Sequence, residues 1–197
     1  MSTSFWKSGH TPTLFSAFLY FDISFMVWYL LGPLAVQIAT NLELDAQQRG
    51  IMVATPILSG ALLRLLLGFL ADRLSPKLAG VIGQLIVILS LSIAWLLGID
   101  SYEQTLLLGL GLGFAGASFA VALPLASQWY PPEHQGTALG IAGAGNSGTV
   151  LAALFAPGLA YLFGWQNVFG LALIPLSISL LVFLLLARNA PVRPPPA

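Results

Sequence analysis

Apolar residues run in six long stretches separated by short polar breaks, at about residues 14–40, 48–71, 78–99, 104–128, 136–162 and 165–187. A helix rises about 1.5 Å per residue, so each stretch can cross a hydrocarbon core of about 30 Å. The breaks carry turn punctuation: Asn41-Leu-Glu-Leu-Asp45, Asp72-Arg-Leu-Ser-Pro-Lys77, Asp100-Ser-Tyr-Glu103, Pro131-Pro-Glu-His-Gln135 and Phe163-Gly-Trp165. The pattern predicts an all-α membrane protein, a bundle of six transmembrane helices over residues 1–189. Residues 190–197 form a proline-rich tail of linker character.

The order of these spans sorts the cations. Lys7, Arg73, Lys77, Arg188 and Arg193 fall on one side and Arg49 alone on the other. By the positive-inside rule both termini are expected in the cytoplasm, which an even number of spans permits. The first span is too long for a signal-peptide core and is expected to stay in the membrane.

Composition agrees. Of 197 residues 57% are hydrophobic and only 7% charged, against about 25% charged in soluble domains. The mean hydropathy is +0.89. Zero net charge provides no basic footprint for nucleic acid. With no cysteine, disulfides, thiolate metal sites and cysteine nucleophiles are excluded. No catalytic triad, metal-ligand spacing or phosphate loop stands out, so neither an enzyme nor a cofactor is expected.

Against this background Arg64 is the most informative residue. It lies in the apolar run from Gly50 to Ala71, about 5 Å from the bilayer midplane. Its guanidinium does not deprotonate. Burying that charge costs from about 3 to more than 10 kcal/mol, and such residues usually face a cavity. Positions three, four and seven away include Ile57, Gly60, Ala61, Leu67, Gly68 and Ala71, mostly small residues of the kind that mark a protein-facing side. A buried permanent cation calls for an anion.

The fifth span carries a ridge of small residues every fourth position, Gly140, Ala144, Gly148, Ala152, Ala156 and Ala160. Such a ridge predicts close helix packing, as does the shorter series Gly109, Gly113 and Ala117 in the fourth span. Asn146 sits about 200° around the helix from the ridge. Its amide needs a partner, either a neighbouring helix or a ligand. The flanking Gly143, Gly145 and Gly148 favour a ligand, because glycine opens the backbone to close approach.

Asp22 is a carboxylate well inside the first span. It reads either as a proton-coupling site or as a partner for a nearby hydroxyl or backbone group. His10 and His134 are expected to be solvated. Trp6, Trp28, Tyr29, Trp95, Trp129, Tyr130 and Trp165 are expected mostly near span ends as interface anchors.

Several segments together resemble a known family. The loop Gly68-Phe-Leu-Ala-Asp72-Arg73-Leu-Ser-Pro-Lys77 is similar to the loop motif of major facilitator transporters, departing where a second glycine and paired basics are usual. Gly143-Ala-Gly-Asn146-Ser-Gly148 with Pro157 resembles the signature of the nitrate/nitrite porters. Gly60-Ala-Leu-Leu-Arg64, Gly116-Ala-Ser-Phe119-Ala and Phe21-Asp22-Ile-Ser-Phe-Met-Val-Trp28 are similar to further segments of that family, in the same order.

The resemblance implies the N-terminal half of a major facilitator fold in a bacterial inner membrane. It implies transport of nitrate or nitrite by alternating access. In that family the anion lies between two arginines, one from each half. Carried over, Arg64 is the first, Asn146 with Gly143 and Gly145 supplies neutral donors, and Phe119 covers the flat face of the anion. Gly68, Asp72, Arg73 and Lys77 would form the gating loop. The implied partner is a complementary six-helix half or a second copy of the chain. A non-transporting remnant or assembly partner, or a porter of another small anion such as formate or oxalate, are the competing readings.

Overall fold

Helix boundaries follow from capping chemistry. In the computed structural model, which describes residues 4–191, six helices are long and apolar enough to cross a membrane: Thr11–Asn41, Ala46–Arg73, Pro76–Leu97, Tyr102–Ser127, Pro132–Phe163 and Trp165–Leu186. The described residues contain no strand. The second span opens on a reciprocal cap in which the Gln48 N–H donates to Asp45 Oδ1 at 2.8 Å and the Asp45 N–H to Gln48 Oε1 at 3.1 Å. Ser75 and Ser101 cap the third and fourth spans through the N–H groups of Leu78 and Gln104. Gly98 and Gly164 end the third and fifth spans at φ of +77° and +84°, where a Cβ would be strained.

Three spans are interrupted. The first divides into Thr11–Trp28 and Leu31–Asn41. Pro33 brings no N–H for the Tyr29 carbonyl, which accepts from Gly32 instead at 3.1 Å. The fourth divides at Ala117 and Ser118, after the glycine-rich stretch Gly109 to Gly116. The fifth passes through a 3₁₀ turn at Ala144–Ser147. These interruptions fall around the candidate site.

The first and fourth spans form the centre, with 61% and 56% of their apolar windows buried, against 22% in the second span. Glycines set the crossings. Gly109 lies against Thr55 and Pro56, and Gly113 against Ser59 and Gly60, so the small-residue face of the fourth span packs on the second. Gly145 and Gly148 lie against the backbone of the first span between Phe18 and Met26.

The ridge of the fifth span differs from its sequence pattern. Gly148, Ala152, Ala156 and Ala160 are buried, but Gly140 and Ala144 are exposed and Ala138, Ala142 and Gly145 are buried in their place. A 3₁₀ turn winds at about three residues per turn, so the packed positions before Gly148 fall at 145 and 142 instead of 144 and 140. In this chain Gly140 and Ala144 therefore do not serve the packing expected of them.

One end of the bundle gathers both described chain ends with the second–third and fourth–fifth connections. Phe5 stacks on Tyr130 with ring centroids 4.7 Å apart. Trp129 Nε1 donates to the Arg188 carbonyl at 2.8 Å, and Lys77 Nζ to the Leu184 carbonyl at 2.8 Å. This end carries Lys7, Arg73, Lys77 and Arg188 against Asp72 and Glu133. The opposite end carries Arg49 against Glu43, Asp45, Asp100 and Glu103. The charge asymmetry is therefore a property of the fold.

His10 is not simply solvated. Its Nδ1 accepts from the Thr13 N–H at 3.2 Å and lies 2.7 Å from Thr13 Oγ1, and its ring lies 4.8 Å from that of Trp129. Partial burial holds the imidazole below its ordinary pKa, and the Arg188 charge adds to this. Tyr130 is fully buried rather than interfacial. Trp28 lies in the middle of the first span, away from either end.

Candidate functional site

Arg64 is half-buried, and its position is set by the break in the fourth span. Beyond the break the Ala120 N–H donates to Ala117 at 3.0 Å, so it does not take up the Gly116 carbonyl. That carbonyl accepts from Arg64 Nε instead, at 3.3 Å. The guanidinium lies 5.4 Å from the centre of the Phe119 ring. With Nε engaged, the two Nη groups remain as parallel donors, the edge that meets a planar oxyanion in bidentate fashion. Among the described residues no carboxylate pairs with Arg64.

From Arg64 the wall continues through aromatic rings. Phe119, 43% exposed, meets Phe21 edge-on at 5.9 Å. Phe21 in turn lies against Gly145, whose hypothetical Cβ would fall 2.7 Å from the Phe21 ring and 2.9 Å from the Asp22 nitrogen. Any side chain at 145 would push the fifth span off the first. Asn146, next in the chain, is exposed on the 3₁₀ turn, and its carbonyl accepts from Thr149 Oγ1 at 3.0 Å. Gly143 has nothing within 4 Å of where a Cβ would stand. The fold thus joins Arg64, Phe119, Phe21 and Gly145 by successive contacts and places Asn146 beside them. No hydrogen bond joins Asn146 to Arg64.

Asp22 is buried, 7% exposed, and its Oδ1 accepts from Ser147 Oγ at 2.7 Å. The hydroxyl partner is thus supplied by the 3₁₀ turn, and the bond ties that turn to the first span. Ser147→Ala should leave a buried carboxylate oxygen unsatisfied and cost about 1–3 kcal/mol of stability, read as a lower melting temperature in detergent. Asp22→Asn keeps an acceptor and should melt close to the parent. An Asn variant that melts normally but loses the pH dependence of uptake would assign proton coupling to Asp22.

The loop after the second span is divided in role. Lys77 is anchored, its Nζ on Leu184 and its backbone N–H on Asn189 Oδ1 at 3.1 Å. A cation over the last carbonyls of the sixth helix is electrostatically favourable. Arg73 lies 5.0 Å from the ring of Phe69 on its own helix, Asp72 is exposed, and a Cβ added at Gly68 would meet nothing within 4 Å.

Sequence reasoning did not single out Phe21, Ser147 or Trp28 for roles at this wall. Trp28 Nε1 donates to the Pro56 carbonyl at 2.8 Å, across to the second span. The available signal was its position near the centre of an apolar span, where an interface anchor has no business.

Comparison with known proteins places this architecture. The Major Facilitator Superfamily pattern matches residues 17–197. The chain is 34% identical over 178 residues to the probable nitrate/nitrite transporter NarK2 of Mycobacterium tuberculosis, covering 89% of this chain and 45% of that protein. It is 32% identical over 161 residues to the nitrite extrusion protein of Bacillus subtilis, covering 82% and 40%. It is 38% identical over 142 residues to the probable nitrate/nitrite antiporter NarK1 of Thermus thermophilus, covering 72% and 31%. Among solved structures, a bacterial homologue of the human lysosomal transporter Spinster, inward-facing and occupied, superposes with a TM-score of 0.78 at 22% identity, over 94% of this chain and 46% of that one. The chain spans just under half the length of the relatives it matches. It is a multi-pass protein of the bacterial inner membrane, and it belongs to the major facilitator superfamily, with nitrate/nitrite transporters as the relatives it matches over most of its length.

Proposed function

We propose that this six-helix body supplies one wall of a transmembrane pathway for nitrate or nitrite, with Arg64 as the anion-binding group. The observation that carries the reading is the state of Arg64, a permanent cation inside a membrane span, held through Nε, with its Nη edge unpaired by any described carboxylate. The ring of Phe119 beside it suits the flat face of a trigonal anion, and Asn146 can add neutral donors. The relatives named above support nitrate or nitrite as that anion. Arg49 alone marks one end of the bundle against four cations at the other, which supports a cytoplasmic position for the termini.

The same wall implies a second body. Left against lipid, a guanidinium and an exposed amide would be unsatisfied. Transporters of this superfamily rock two six-helix halves about a site between them. The complement is another six-helix half or a second copy of this chain. The exposed Asp72 and Arg73 remain available to meet it at the cytoplasmic end.

The test is uptake into vesicles by the purified chain, alone and with a candidate complement, with the mass of the assembly measured in detergent. The expected result is saturable nitrate uptake only by an assembly larger than one chain. Saturable uptake by a demonstrated monomer would refute the two-body reading. Uptake of formate or oxalate but not of nitrate would refute the assigned substrate.

A further inference from the structure

We infer that Trp28 is a positioning residue for the Arg64 guanidinium, acting through the backbone of the fourth span. This inference rests on Arg64 as the anion-binding group.

The indole stands edgewise in the crossing of three spans. A Cβ on Gly116 would fall 2.5 Å from Trp28 Cε2 and Nε1, and one on Gly60 would fall 3.1 Å from Nε1. A side chain at 116 would displace the ring, and one at 60 would crowd it, so the two glycines make room for the indole between the second and fourth spans. Its single polar atom is used, because Nε1 donates to the Pro56 carbonyl at 2.8 Å. Phe25 backs it, with ring centroids 4.8 Å apart. The indole therefore has a fixed height and tilt.

That placement bears on Arg64 through two residues. Pro56, Gly60 and Arg64 are spaced by four on the second span, so the helix stretch that Trp28 grips is the one that carries the arginine. Gly116, pressed by the indole, is the residue whose carbonyl holds Arg64 Nε. Trp28 thus fixes both the helix from which the guanidinium projects and the carbonyl that sets its rotation. With the indole removed, the fourth span can relax toward the first, the Gly116 carbonyl can turn away, and the Nη edge loses its direction. This role requires no contact between Trp28 and the ligand.

The experiment reads the Arg64 Nε–H directly, by proton exchange with water in the full chain, labelled with ¹⁵N-arginine and held in lipid nanodiscs without added anion. The Arg64 signal is the one lost in Arg64→Lys. In the parent chain this proton should exchange slowly. Trp28→Phe keeps a ring but loses the indole N–H and part of the wedge. It should speed exchange at Arg64 by about fivefold or more, as expected for a weakened hydrogen bond. Arg49, at the far end of the same helix, should be unchanged. Should Trp28→Phe fail to fold, a variant carrying 3-benzothienylalanine at position 28 keeps the shape of the indole and replaces its N–H with a sulfur that cannot donate.

Unchanged exchange at Arg64 in the folded variant overturns the inference. So does equal acceleration at Arg64 and Arg49, which would show general loosening. Because no anion is present, this readout is independent of nitrate. Titration with nitrate, in the assembly that takes it up, then tests the underlying reading separately. Weaker nitrate binding in Trp28→Phe, with no further loss when added to Arg64→Lys, supports both. Accelerated exchange with no nitrate response in the parent assembly supports the positioning role and overturns the anion assignment.

Discussion

Arg64→Lys is expected to weaken nitrate binding by about 30- to 150-fold in the assembly that binds it, corresponding to about 2–3 kcal/mol for lost charge-assisted hydrogen bonds. The charge survives the change but the geometry does not. Lysine presents a compact ammonium on a flexible stem, without the planar pair of Nη donors. It also lacks an Nε, so the bond to the Gly116 carbonyl at 3.3 Å disappears and nothing orients the cation beside Phe119. Arg64→Gln, which removes the charge as well, should bind still more weakly. Neither variant should fold much less well, because Arg64 is half-buried and stands outside the apolar core. Isothermal titration or competition by nitrate against a labelled anion would measure the effect. Equal affinity in the lysine variant would reduce Arg64 to a general electrostatic role.

The second large effect concerns backbone contact rather than charge. Gly148→Ala should sharply reduce the yield of folded protein and lower its melting temperature, with an energetic cost of about 3 kcal/mol or more. A Cβ at this position would intrude on the Asp22 carbonyl oxygen and fall 2.8 Å from the Met26 nitrogen, atoms of a helix that cannot move aside locally. Gly140→Ala and Gly143→Ala are the controls. Both glycines have nothing within 4 Å of the added carbon. Alanine there should be neutral or stabilising by about 0.5–1 kcal/mol, because it restricts the unfolded chain and favours helix. The three variants carry the same chemical change in one span, so their melting curves compare directly. Similar melting for Gly148→Ala and Gly140→Ala would show that the fifth span does not rest on the first.

The family resemblance was legible because it rests on short motifs in order. The six spans and the presence of Arg64 in the second were legible for a different reason. Hydrophobic length and an isolated charge are properties of a contiguous segment, and the bilayer imposes them before any helix meets another. Caps such as Asp45 with Gln48 belong to the same class.

What only the tertiary structure decided lies at the helix interruptions. The regular four-residue spacing from Gly140 to Ala160 suggested one continuous ridge, but the 3₁₀ turn at Ala144–Ser147 moves the packed face from Gly140 and Ala144 to Ala142 and Gly145. Periodicity assumes a constant twist, and a local change in twist rotates everything on one side of it. The hydrogen-bond donor to Asp22 is Ser147, 125 residues away. Residue type alone makes Trp28 an interface anchor, whereas its indole N–H donates to the Pro56 carbonyl within the bundle. The direction of the Arg64 guanidinium depends on a carbonyl released by a break in a different helix. Each of these is a contact between segments far apart in the chain. Such contacts are chosen by which backbone groups the interruptions leave unsatisfied and which neighbour can reach them, and no pattern within one span carries that information.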